Sequence, residues 1–268
     1  MNTGSLKMTS CMASNADPFC EAMAAYIGGR LGLTVEFIND VPWQERERRF
    51  DEGEIQLCWL CGLPYVWKAG LASPRIELLA APVMLGERYG NRPVYFSDVV
   101  VSRGSAFRRF EDLRGASWAY NEPRSHSGNY VVRHRLAEIS AGPGFFGEVI
   151  ESGAHQASLD MILAGRVDAS AIDSTVLETE LLARPEISDR ITIIETLGPS
   201  PMPPWVCPRN LPRELRDALL DALLGMPADE RGRDTLREGR ISHFARVEDR
   251  DYDPIRRMAR QAERVALR

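Results

Sequence analysis

The chain has 268 residues, 44% hydrophobic and 26% charged, with a formal net charge of -5. That balance belongs to a globular protein with room for one large domain or two modest ones, and its acidity argues against an electrostatic nucleic-acid binder. No apolar run reaches membrane-spanning length, and Met1-Asn2-Thr3-Gly4-Ser5-Leu6-Lys7 shows no basic segment followed by an apolar one, so no secretory leader is read.

Residues 6–11 read as a first strand. Ser14-Asn15-Ala16-Asp17-Pro18 then turns into a helix, with Asp17 as N-cap and Pro18 at the first helical position. Phe19, Met23, Tyr26 and Ile27 share one face of that helix, which ends near Gly28-Gly29 or Leu31-Gly32. Strand 33–38, a short charged helix 42–50, strand 54–60 and a helix opened by Gly62-Leu63-Pro64 follow. Strand and helix in alternation predict an α/β protein with a mostly parallel sheet flanked by helices. Ligands of such sheets sit at the carboxyl ends of the strands, where Cys61, Gly62 and Tyr65 fall.

A strand at 78–84 precedes a long extended run at 94–101, which carries Tyr95. The alternation then restarts: a short helical connection at 105–112, strand 117–120, helix 129–139, strand 149–152, helix 154–164, strand 167–172, helix 176–183 and strand 191–196. A proline-rich stretch, Gly198-Pro199-Ser200-Pro201-Met202-Pro203-Pro204, leads to extended Trp205-Val206-Cys207. Three helices close the chain, at 212–224, 229–238 and 254–265; the first is strongly amphipathic through Leu215, Leu219, Ala222 and Leu223. The stretches near 94–101 and 196–205 read as two hinge passages between two lobes. Lobe one is then 1–96 with 200–268, and lobe two is 97–199. Hinge closure of two lobes on a small ligand is a known use of such an arrangement.

The five cysteines, Cys11, Cys20, Cys58, Cys61 and Cys207, are odd in number and do not read as a disulfide framework. Cys58 and Cys61 form one C-x-x-C without the second pair a structural zinc site wants, and Leu57, Trp59 and Leu60 around them suggest buried thiols. No metal and no cofactor is expected.

The most informative stretch is Asn121-Glu122-Pro123-Arg124-Ser125-His126-Ser127-Gly128-Asn129-Tyr130, between a strand and a helix. Two hydroxyls and free backbone N–H groups at a helix start suit an oxyanion. A plain N-cap by Ser125 or Ser127 is the simpler reading of the same residues. His155 opens the next helix, Asp173 ends a strand, and Tyr95 lies on the first passage. Each also has an ordinary reading: a cap or surface histidine, an N-cap before Ser174 and Thr175, and packing. His134 and His243 are read as structural. The chain holds no G-x-S-x-G, no phosphate-loop G-x-x-x-x-G-K-[ST], no G-x-G-x-x-G after a strand and no H-E-x-x-H.

Four pieces in order resemble the periplasmic phosphate/phosphite/phosphonate-binding proteins of ABC transporters, the PhnD-like group with the type II periplasmic-binding-protein fold. They are Phe110-Glu111-Asp112-Leu113-Arg114-Gly115; Ser125-His126-Ser127-Gly128, similar to that family's Ser-Thr-Ser-Gly loop; Ser152-Gly153-Ala154-His155 with Gly165-Arg166-Val167-Asp168-Ala169; and Tyr252-Asp253-Pro254-Ile255-Arg256. The resemblance implies that Ser125, Ser127 and His155 hold an oxyanion and that Tyr95 and Tyr65 line the cleft. It places Asp173 where some members hold a ligand amine. His126 stands where the family carries threonine, adding bulk and a titratable donor. A non-catalytic, monomeric component serving a transporter permease is the expectation, with no nucleic acid and no membrane insertion. It is periplasmic by resemblance and cytoplasmic if the chain is complete. The alternative is a cofactor-free, lyase-like enzyme or a ligand sensor on the same fold.

Overall fold

In the computed structural model, which describes residues 4–267, β1 (Ser5–Ser10) runs into α1 (Asp17–Leu31) and returns as β2 (Thr34–Ile38). Asp17 is the first helical residue rather than the cap; Ala16 takes the cap position without a side-chain bond. Pro18 in the first turn fits because its missing N–H has no intrahelical acceptor there. The helix stops at Gly32, whose φ of 65° is a left-handed conformation that glycine adopts without steric cost. After α2 (Trp43–Asp51), β3 (Leu57–Trp59), α3 (Gly62–Ala69) and β4 (Ile76–Met84) complete the first pass.

The remaining elements are β5 (Val94–Ser102), β6 (Trp118–Tyr120), α4 (Val131–Glu138), β7 (Val149–Glu151), α5 (His155–Leu163), β8 (Ala169–Asp173), α6 (Ser174–Ala183) and β9 (Ile191–Pro201). Then come β10 (Trp205–Pro208), α7 (Arg213–Gly225), α8 (Glu230–Glu238), β11 (Ile241–Ala245) and α9 (Asp253–Ala262). No helix among the described residues is long and apolar enough to cross a membrane.

The chain forms two compact units, residues 1–94 with 201–252 and residues 95–200 with 253–268. The first holds a six-stranded sheet in the order β11-β4-β10-β3-β1-β2. β1 pairs in parallel with β2 and β3, as helical crossovers require. The returning strands β10 and β11 run antiparallel to their neighbours, making the sheet mixed. Its core includes the stacked pair Trp59 and Trp205, ring centroids 5.8 Å apart, with Phe19 edge-on to Trp59.

The second unit holds a five-stranded sheet ordered β7-β6-β8-β5-β9. β6 pairs in parallel with β7 and β8, while β5 runs antiparallel to β8. An aromatic cluster of Phe110, Trp118, Phe145 and Phe146 fills one face, with Trp118 and Phe146 stacked at 4.4 Å. Burial of each such ring contributes about 1.5–3 kcal/mol.

The sequence reading put 200–268 wholly with the first lobe. In the structure, α9 packs with α4 in the second unit, with Ile255, Ala259 and Ala262 buried along one side of the helix. Arg133 Nε donates to Val265 O at 2.6 Å, and Met258, Val265 and Leu267 join that unit's core. The apolar i, i+4, i+7 spacing of α9 demands a partner face, and the sequence alone does not say which helix supplies it.

Candidate functional site

β6, β7 and β8 are parallel neighbours, so their carboxyl ends share one edge of the second unit's sheet. β5 is antiparallel to β8, with Ser97 opposite Asp173, so the start of β5 reaches the same edge. Four pieces of chain thereby meet: the turn after β6, the start of α5 after β7, Asp173 at the end of β8, and Tyr95 to Ser97.

The turn after β6 begins with Ser125, whose Oγ accepts from Gly128 N at 3.0 Å. Residues His126–Tyr130 form a single wide π-type turn, closed by Tyr130 N donating to Ser125 O at 3.1 Å, before α4 begins. Such turns are rare and recur at functional positions. Within this turn Ser127 is held from two sides: its carbonyl accepts from Ser97 Oγ at 2.5 Å, and its Oγ lies 3.0 Å from His155 Nε2. The helix-cap reading of Ser125 is therefore correct, and Ser127 is free of that duty.

His155 is the first residue of α5 and only 6% exposed. Burial draws its pKa down to about 4, opposed by the nearby Ala171 carbonyl, so the ring is neutral at pH 7. Nδ1 makes no hydrogen bond of good geometry, although that carbonyl lies close enough to act on the ring. The first N–H groups of α5 have no intrahelical acceptors, and Ser127 Oγ and His155 Nε2 lie within hydrogen-bond reach of each other at the start of that helix.

His126 points elsewhere. It is fully buried, and its Nε2 lies 2.8 Å from Ser200 Oγ at the end of β9. Burial, helped by His134, pushes its pKa down to about 3. Tyr95, also buried, packs with its ring centroid 6.4 Å from that of His126. The bulk at position 126 thus fills the unit's interior and ties the π-turn to β9.

Asp173 is buried and caps α6, with Oδ1 accepting from Thr175 N at 2.9 Å and Thr175 Oγ1 at 2.7 Å. Burial raises its pKa to about 6 against the pull of those bonds, and nearby Asp98 adds to the rise. Its ordinary reading as a cap is the one the geometry supports. Tyr65, Cys61 and Gly62 belong to the first unit. Cys61 is the partly exposed N-cap of α3, Gly62 opens that helix, and Tyr65 Oη donates to Asp249 Oδ1 at 2.8 Å beside Tyr252.

Three residues escaped the sequence reading. Ser97 and Ser200 anchor the turn from strands distant in sequence, which no local pattern announces. Asn121 packs against Gly128 so closely that a Cβ there would fall 1.9 Å from Asn121 Oδ1 and 3.2 Å from His155 Cε1. A glycine after Ser-X-Ser is the signal that was present: it marks close approach of other groups to the turn.

Residues 14–252 match the family model described as the periplasmic substrate-binding protein of phosphonate ABC transporters. A binding protein component of an ABC phosphonate transporter from Pseudomonas aeruginosa superposes with a TM-score of 0.85 at 18% identity, over 98% of this chain and 88% of that one. PhnD1 from Prochlorococcus marinus, solved with methylphosphonate, gives 0.85 at 18% identity over 98% of this chain and 100% of that one. A Xanthomonas citri protein bound to ATP gives 0.75 at 13% identity over 97% and 98%. With a family match spanning most of its length, this chain belongs to the periplasmic substrate-binding proteins of phosphonate ABC transporters.

Proposed function

We propose that the chain binds a small phosphorus oxyanion, a phosphonate first among the candidates, at the turn of Ser125 to Gly128 and at His155. The observation that carries the reading is the buried Ser127–His155 pair at the starts of two helices. A phosphonate oxygen entering there exchanges one weak neutral contact for several charge-assisted ones, each about twice as strong as a neutral bond. A neutral His155 serves as a donor from Nε2–H without gaining a proton. Tyr95 and Asp173 support the site from within the same unit. The chain acts as a monomer that delivers its ligand to a permease.

The lyase-like alternative is not favoured. The family consists of substrate-binding proteins. A Ser–His pair serving as nucleophile and base also wants a group orienting the histidine. Here His155 Nδ1 has no carboxylate partner, and Asp173 Oδ1 is held by Thr175.

A thermal-shift panel of methylphosphonate, phosphite, phosphate and small carboxylates tests the reading. Ligand at 100 times its Kd stabilises by about 2.7 kcal/mol, enough to raise Tm visibly. Phosphorus oxyanions are expected to raise it and carboxylates not; a panel in which no phosphorus oxyanion does so contradicts the proposal.

A further inference from the structure

The first unit contains a pair of thiols that substrate binding does not use. β1 and β3 are parallel neighbours, with Thr9 opposite Cys58 and Ser10 opposite Trp59. Cys11 follows β1 directly, its N–H donating to Trp59 O at 2.9 Å, so the pairing continues one residue past the strand. That continuation turns the Cys11 side chain toward Cys58, and the two Sγ atoms lie 3.8 Å apart. Both are free thiols; Cys11 is partly exposed and Cys58 fully buried.

We propose that Cys11 and Cys58 form an oxidisable pair that takes an organic disulfide as its oxidant and closes an intramolecular bond between the end of β1 and β3. A disulfide holds its sulfurs about 2.05 Å apart, so the Cys11 side chain must advance by roughly 1.8 Å, and it sits at the loop end of its strand. In the first step the Cys11 thiolate attacks one sulfur of the oxidant RSSR, forming a mixed disulfide and expelling RS⁻. In the second, Cys58 loses its proton and attacks the Cys11 sulfur, expelling the second RS⁻. Two thiol protons and two electrons leave the pair, and two RSH form.

The division of labour follows from access. An oxidant reaches Cys11, whereas Cys58 meets only its neighbour. Burial, with the adjacent Cys11, raises the Cys58 pKa. That makes Cys58 a poor attacker in bulk but a slow leaving group once bonded, so the closed form resists exchange that would expel it. The nearby Cys61, partly exposed at the start of α3, supplies a rival pairing that the experiment separates.

The test uses the full chain, fully reduced, then incubated with oxidised glutathione, alkylated under denaturing conditions and mapped by peptide mass spectrometry. The expected product is one disulfide joining the Cys11 and Cys58 peptides, with a higher Tm that dithiothreitol reverses. Cys58→Ser is expected to hold glutathione at Cys11 as a persistent mixed disulfide. Cys11→Ser, which leaves the buried strand intact, is expected to leave Cys58 unmodified in the native protein. Full alkylation of both thiols in the oxidised wild type, or a bond that joins Cys61 to either of them, overturns the proposal.

Discussion

Ser127 Oγ and His155 Nε2 are 3.0 Å apart, which couples the starts of two helices that follow two different strands of one sheet. The ring of His155 is neutral at pH 7 because burial outweighs the Ala171 carbonyl. A neutral amide donor of similar reach is thus a fair substitute for it. His155→Gln is expected to keep methylphosphonate binding within about tenfold of wild type, while His155→Ala, which removes the donor, costs about 1.5–3 kcal/mol, or more than tenfold. Competition titrations at pH 7 check both.

Gly128 allows the π-turn to lie against Asn121 and His155. A methyl group there would sit 1.9 Å from Asn121 Oδ1, a distance no pair of atoms tolerates. Gly128→Ala is expected to destabilise the protein by about 1–3 kcal/mol, typical of overpacking, and to abolish binding. Asn121→Ala in the same chain removes the clashing atom and is expected to restore much of the Tm. Chemical denaturation of the two singles and the double measures that coupling.

His126 and Ser200 form a buried pair in the interior of the second unit. Removing either partner leaves the other unsatisfied, at about 1–3 kcal/mol. Ser200→Ala and His126→Leu are each expected to lower stability by that order, and the double variant by less than their sum. Affinity for methylphosphonate is expected to stay within a few-fold in all three, because His126 Nε2 is engaged with Ser200 Oγ. A large affinity loss in His126→Leu with unchanged Tm would make it a ligand contact instead.

The titrating groups pull in opposite directions. His126 and His155 have folded pKa values of about 3 and about 4, below the usual 6.5. Between those values the unfolded chain binds more protons, so their contribution to stability is present above 6.5 and is lost as pH falls through that window. Asp173, raised to about 6 from 3.8, does the reverse: its folded form binds more protons, so stability falls as pH rises from 3.8 to 6. Two histidines against one aspartate predict a Tm that drops on acidification from 6.5 to 4. Asp173→Asn is expected to steepen the drop and His155→Gln to flatten it, both readable from melting curves at stepped pH.

Much of this was legible because local rules and tertiary structure agree. The Asp17-Pro18 start and Gly32 end of α1, the Gly62 start of α3 and the small-residue strand ending at Asp173 are each fixed by residues within a few positions. β11 was missed because Ser242 and His243 break its apolar pattern, and its pairing to β4 comes from 150 residues or more away in sequence. The reading of 196–205 as a passage between lobes gave no sign of a further role for Ser200. β9 runs through Pro201, and Ser200 at its end holds His126. Such long-range anchors, like the π-turn they stabilise, leave no periodic mark in the chain. The aromatic residues Trp59 and Trp205 stack in the first unit's core, where their size is worth most.

The central claim is that Ser127 and His155 together receive a phosphorus oxyanion, and isothermal titration of methylphosphonate into wild type and Ser127→Ala tests it most directly. The account predicts saturable one-to-one binding to wild type and at least a tenfold weaker Kd for Ser127→Ala, with stability lowered by no more than the about 1–3 kcal/mol that one lost buried hydrogen bond costs. Equal affinity in the two proteins, or no binding of methylphosphonate, phosphite or phosphate to wild type, would contradict it.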